Sequence, residues 1–187
     1  MHVFQKILVR IAQELDSSQL PYMIIGGQAV LLYGEPRATK DIDITLGADI
    51  GKLDIVRTIV SNLGMSLAVA EAEAFVQRHN VLPVVDEESG IRIDFIFSFT
   101  PYERQAIQRA NRVKIENREV VYASVEDIII HKLVAGRPRD IEDVKSILIH
   151  QSRYDVAYIE LWLQEFSNAL GRGLTLEFQQ LRQTQNT

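Results

Sequence analysis

The chain has 187 residues, enough for one globular domain or for a small catalytic domain with a helical appendage. With 47% hydrophobic and 24% charged residues it is neither disordered nor fibrous, and with no cysteine it has no disulfides, thiolate metal sites or cysteine nucleophile. A net charge of -5 argues against bulk non-specific nucleic-acid binding while leaving room for a local basic face.

The first segment places Val3, Phe4, Ile7, Leu8, Ile11 and Leu15 at three- and four-residue spacing, an amphipathic helix ending near Asp16-Ser17-Ser18. Lys6, Arg10 and Glu14 interrupt it, so it lacks the apolar core of a signal peptide. No stretch approaches the ~20 apolar residues a membrane span needs. A cytoplasmic protein without membrane contact is expected.

After Pro21, "YMII" reads as a buried strand stopped by Gly26-Gly27, and "GQAVLLY" as one or two helical turns. "GEPRAT" is a loop. "KDIDITL" alternates, with Asp41, Asp43 and Thr45 on one face of a strand and Ile42, Ile44 and Leu46 on the other. Residues 49 to 63 suit a helix with Ile50, Leu53, Ile55, Val56, Ile59, Val60 and Leu63 as its apolar set, ended by Gly64. "VLPVV" and "IRIDFIF", separated by "DEESG", form a hairpin signal, with Arg92, Asp94 and Ile96 sharing one face. A short strand pair, "RVKIE" and "EVVYA", is expected around Asn117.

From Ser124 the pattern is helical. Ser124 and Asp127 resemble a capping box, "VEDIIIHKLVA" stops at Gly136, and "RPRDIEDVKSILI" restarts after Pro138. Two more helices are expected near 154–170 and 173–183, with the tail "QTQNT" frayed. Trp162, Leu163, Phe166 and Leu170 read as core or as a partner-facing stripe, and His131 and His150 as structural residues. The organisation is α/β for about 120 residues, then α only.

Residues two apart on a strand point the same way about 6.6 Å apart, so Asp41 and Asp43 project side by side. Two such carboxylates repel unless a raised pKa or a cation resolves them, or unless both are simply exposed. Asp94 is a third acid, mid-strand among apolar neighbours, and requires a ligand or an ion pair with a nearby arginine. Gly26-Gly27, between strand and helix, is a tight turn or a place where a phosphate approaches bare backbone at a helix N-terminus. Taken together these residues describe hard-cation chemistry, in which Mg²⁺ takes carboxylate oxygens plus substrate phosphates.

The stretch "IIGGQAVLLYGEPRATKDIDITL" resembles the signature of the polymerase-β-type nucleotidyltransferase superfamily, a glycine pair followed by Asp-apolar-Asp with a later strand aspartate. "PRATKDIDITL" followed by "EDIIIHKLVAGRPRDIEDV" is similar to one branch, the abortive-infection type II (AbiEii toxin-like) nucleotidyltransferases. The resemblance covers about residues 20 to 150. It implies an α+β nucleotidyltransferase fold, a small mixed or antiparallel sheet flanked by helices and followed by a helical region. The organisation expected is a catalytic domain over 1–123 with a helical region, 124–187, packed on it as one compact unit, the final helices matching nothing specific in the resembled family.

By the same resemblance Asp41, Asp43 and Asp94 hold two Mg²⁺ ions, or Mn²⁺, and are catalytic. Asp94 also takes the acceptor proton. Gly26, Gly27, Arg37, Thr39 and Lys40 bind the nucleoside triphosphate, although Lys40 also suits a simple counter-charge to the acids. Lys132 reaches the phosphates and Asp140 is an active-site acid, where the residues alone equally suit a lysine on a helix dipole and an N-terminal cap. Arg139 and Asp143 are further candidates, and Tyr33, just after the glycine helix, suits either packing or flanking the nucleotide. The implied reaction transfers a nucleoside monophosphate to a hydroxyl, on a tRNA 3′ end in a toxin with a cognate antitoxin, or on an antibiotic or a protein. Arg104, Arg109, Arg112, Lys114 and Arg118 form either an RNA-compatible patch or a solvated face. A non-catalytic nucleotide- or partner-binding module is the alternative of another class.

Overall fold

The computed structural model describes residues 2–184. The chain divides into two compact units, one made of the residues up to Gln28 with Thr39–Ala123, the other of Ala29–Ala38 with the residues from Ser124 onward.

The first unit is built on a seven-stranded mixed sheet formed by β1 (Tyr22–Ile25), β2 (Asp41–Leu46), β3 (Met65–Leu67), β4 (Val81–Asp86), β5 (Arg92–Phe97), β6 (Asn111–Ile115) and β7 (Arg118–Tyr122). Its strand order is β3-β4-β5-β2-β1-β7-β6. β1 and β2 are antiparallel, and the chain returns between them through α2 (Gly26–Tyr33) and a loop. β2 and β5 are parallel, which requires a long crossover. That crossover carries α3 (Leu53–Asn62), β3, α4 (Ala72–His79) and β4.

Alternation decides which face is core. Ile42 and Ile44 of β2 and Ile93 and Phe95 of β5 are completely buried, while Asp41, Asp43, Arg92 and Asp94 take the other face. Ile7, Leu8, Ile11 and Leu15 of α1 (Val3–Ser17) and Val56, Ile59 and Val60 of α3 bury their apolar stripes in this unit.

The second unit contains α6 (Val125–Ala135), α7 (Pro138–His150), α8 (Val156–Leu170) and α9 (Leu174–Gln183). In α6, Ile128, Ile129, Ile130 and Leu133 are fully buried and the polar Asp127 and Lys132 are buried as well, so the helix buries residues around most of its circumference. Ser124 caps it, its hydroxyl accepting from the Asp127 N–H at 3.2 Å. The buried Asp127 carboxylate in turn accepts from Ser124 Oγ at 2.6 Å and Tyr158 Oη at 2.8 Å. Pro138 opens α7 at a position where its missing N–H costs nothing.

The elements expected from periodicity are present, with four differences. The helix over 49 to 63 begins as a 3-10 turn, Ile50–Lys52, and Ile50 and Ile55 lie on its outer side rather than in the core. Three short elements escaped the pattern: β3, α4 and α5 (Pro101–Arg109). They are too brief or too polar for a clear period. The glycine pair forms the first turn of α2 itself, not a turn before it. In α8, Leu163 is buried but Leu170 is half exposed, so the aromatic stripe is core only in part. Most of the expected frayed tail lies outside the described residues. Among the described residues no helix is long and apolar enough to cross a membrane.

Candidate active site

In the parallel pair of β2 and β5, Asp41 faces Arg92 and Asp43 faces Asp94 across neighbouring strands, which run about 4.8 Å apart. Residues so paired share a face of the sheet. Three carboxylates and one guanidinium therefore occupy a single patch. On the opposite side of β2, Asp43 faces Ile25, the last residue of β1, so Gly26 follows directly beside it.

Gly26 has φ +62, a backbone conformation that glycine adopts at no steric cost. A Cβ on it would lie 1.9 Å from Asp43 Oδ2 and 2.8 Å from Cγ. The Asp43 carboxylate fills the space a side chain would need. It thus lies against the first turn of α2, where backbone N–H groups lack helical partners and favour negative charge.

Arg92 resolves the charge of this patch. Its Nε donates to Asp94 Oδ1 at 2.9 Å. Its pKa is raised above the ordinary arginine value, first by the hydrogen bond it donates to Asp94 and by the charge of that residue, which outweigh the opposing effect of burial, with lesser help from the charges of Asp41 and Asp43. Asp94 keeps a fifth of its side chain exposed, so it is less buried than its apolar strand suggests. Thr39 donates its hydroxyl to the Asp41 carbonyl at 3.2 Å. Lys40 is exposed.

The donor set suits a hard divalent cation, all carboxylate oxygen on one face with a cation already among them. As the side chains stand, no three His, Cys, Asp or Glu among the described residues close on one point to hold a metal ion. Asp94 is engaged with Arg92 instead.

The remaining candidates gather in the second unit. Lys132 Nζ lies 2.8 Å from Asp140 Oδ1 and 2.8 Å from Asp143 Oδ2, and all three residues are buried. Arg37 grips Asp143 through Nε at 2.7 Å and Nη2 at 2.9 Å, a bidentate fork. Arg137 Nε reaches Asp140 Oδ2 at 2.6 Å. Burial alone would raise the pKa of Asp140 and Asp143. The hydrogen bonds from Arg137 and Lys132 to Asp140, and from Arg37 and Lys132 to Asp143, outweigh it and hold both below the ordinary carboxylate value. Arg139 donates to the Ala38 carbonyl at 3.0 Å.

Arg37, Lys132, Asp140 and Asp143, separate in sequence, are thus one ion-pair cluster, and Asp41, Asp43, Asp94 and Gly26 are another group. Sequence reasoning did not single out Arg137, but it placed Arg92 on the face of Asp94 and offered an ion pair with a nearby arginine as one resolution of that acid, which is the pairing present. The signal for Arg92 was its position two before Asp94 on a strand. The basic residues of 104–118 are partly spent: Arg104 stacks on Phe99, Arg112 faces Glu119 at 3.5 Å and Arg118 faces Asp16 at 3.8 Å. His150 is exposed and bonds the Ser146 carbonyl at 2.8 Å.

Residues 1–170 match the family described as "Nucleotidyltransferase of unknown function (DUF6036)". No curated protein sequence matches the chain. Solved structures share its fold. The antibiotic-resistance factor ANT(2'')-Ia is 19% identical over 91% of this chain and 97% of its own, at a TM-score of 0.58. The lincosamide antibiotic adenylyltransferase LnuA, with lincomycin bound, is 15% identical over 79% of this chain and 96% of its own, at 0.54. MenT4, a nucleotidyltransferase toxin of Mycobacterium tuberculosis H37Rv, is 14% identical over 88% of this chain and 63% of its own, at 0.53.

Proposed function

Since the chain belongs to this nucleotidyltransferase family and is a transferase, we propose that it moves a nucleoside monophosphate from a nucleoside triphosphate to an acceptor hydroxyl. The observation that carries this reading is the register that sets Asp43 opposite Asp94, with the Asp43 carboxylate in the space Gly26 leaves free.

Asp41, Asp43 and Asp94 would hold Mg²⁺, as two ions, or Mn²⁺. Divalent cations bound there neutralise phosphate charge and lower the pKa of the attacking hydroxyl. Gly26 and Gly27 would receive the triphosphate on the N–H groups of the first turn of α2. Asp94 would accept the proton of the acceptor hydroxyl. The hydroxyl oxygen bonds to the α-phosphorus as the bond from that phosphorus to the bridging oxygen breaks, and pyrophosphate leaves. Thr39 and Lys40, adjoining the acids, would contact the nucleotide. For Lys132, Asp140 and Arg37 the buried ion pairs favour a different task, fixing the second unit by joining α6 and α7 to residues 29–38.

For the acceptor, an RNA 3′ end such as that of tRNA is the first reading. It is supported by the basic residues of α5, β6 and β7 and by the fold shared with a toxin. A small hydroxylated molecule is the second, favoured by the near full-length correspondence with ANT(2'')-Ia.

The test incubates the protein with each α-labelled nucleoside triphosphate, Mg²⁺ and total tRNA beside an Asp43→Ala variant. Label on tRNA from the wild type alone supports the first reading, and label on an added aminoglycoside the second. Nucleotide retained without pyrophosphate release would refute catalysis and leave a binding module. Growth arrest on expression, lost in the variant, would support a toxin that requires a cognate antitoxin.

A further inference from the structure

The three carboxylates of the sheet patch are not gathered around a common point, and Asp94, the one contributed by β5, is turned to Arg92. Arg92 lies in register with Asp41 and two residues before Asp94, so its guanidinium shares the face of all three acids. Only its Nε is used. Its terminal nitrogens make no hydrogen bond to the protein among the described residues, and more than half of its side chain is exposed.

Three like charges within two strand positions of one another are unfavourable by themselves, and Arg92 offsets one of them. A pair whose cation is more than half exposed contributes little to stability, because water and salt reach the guanidinium and screen it. It therefore holds Asp94 in place yet releases it at small cost, which are the two properties a displaceable counter-ion requires. A structural ion pair would instead be enclosed, as buried Lys132 is between Asp140 and Asp143.

We propose that Arg92 is the resident counter-ion of Asp94, which must give way before the three aspartates can close on a divalent cation. Arg92 is thus a positioning residue that sets the threshold for metal binding. This inference rests on the metal-dependent reading above. Released from Asp94, the guanidinium presents a planar fork of donors at the same patch, a shape suited to phosphate oxygens.

The test measures Mn²⁺ binding to the nucleotide-free full chain from the electron paramagnetic resonance signal of free Mn²⁺. Wild type, Arg92→Gln, Arg92→Lys and Arg92→Gln/Asp94→Asn are compared, with circular dichroism to verify folding. Removing the competing cation is expected to tighten Mn²⁺ binding on the order of fivefold. Arg92→Lys keeps the charge and stays near wild type, and the double variant loses the gain. Mn²⁺ bound equally or more weakly by Arg92→Gln, with binding intact in the wild type, overturns this inference alone. Absence of Mn²⁺ binding in both proteins overturns it together with the metal reading. Should Arg92→Gln fail to fold, Arg92 is structural and the inference falls, unless the folded Arg92→Met variant shows the same tightening.

Discussion

Replacing Gly26 by alanine should impair stability slightly and catalysis severely, through a single methyl group. Gly26 sits at φ +62, where an L residue costs about 1–2 kcal/mol. The new Cβ would meet Asp43 Oδ2 at 1.9 Å, well inside van der Waals contact, so the carboxylate must swing away. Because that carboxylate is the end of a rotatable side chain, moving it adds little to the folding cost. Its displacement by about an ångström is sufficient to cost transfer on the order of 100-fold. The assay combines urea denaturation with pyrophosphate release from a labelled nucleoside triphosphate, in wild type, Gly26→Ala, Asp43→Ala and the double variant. If the methyl acts through Asp43, the double variant is no less active than Asp43→Ala, and its stability loss shrinks toward backbone strain alone. Independent, additive losses of activity would refute the argument, as would a fully active Gly26→Ala protein.

Lys132→Met should lower stability by about 3 kcal/mol, because it leaves two buried aspartates with one arginine each; a loss below about 1 kcal/mol in urea denaturation would show the cluster to be dispensable. The folded pKa values of Asp140 and Asp143 lie below the ordinary 3.8. Their contribution is therefore complete above that value and is lost as pH falls from it through the lowered folded values. Acid unfolding followed by circular dichroism should steepen below about pH 4, and Asp140→Asn should flatten that limb. Phe178→Ala should cost about 3–5 kcal/mol, since the ring is wholly buried; a smaller loss in denaturant melts would mean that α9 contributes little to the second unit.

The acid pair, the glycine pair and the third aspartate were legible because strand alternation and the absence of a Cβ are local properties of sequence. So were the apolar stripes of α1, α3 and α6, and the caps at Ser124 and Pro138. The short elements β3, α4 and α5 were not legible: β3 has three residues, which fit several periods equally well, and α4 and α5 each bury only two residues, too few to mark a helical stripe.

Which residues meet across the chain was decided only by the fold. Lys132 read as a dipole partner from its helix position and as a phosphate ligand from the family resemblance, and its enclosure between Asp140 and Asp143 depends on how α6 and α7 pack. Arg37 and Asp143 lie 106 positions apart, and no local rule pairs them. The alternation of β2 and β5 determined that Asp41, Asp43 and Asp94 would leave the core. Their coming together beside Gly26, with Arg92 among them, depended on the parallel register of two strands joined by a long crossover, which is set by packing over the whole sheet rather than by any residue within the motif.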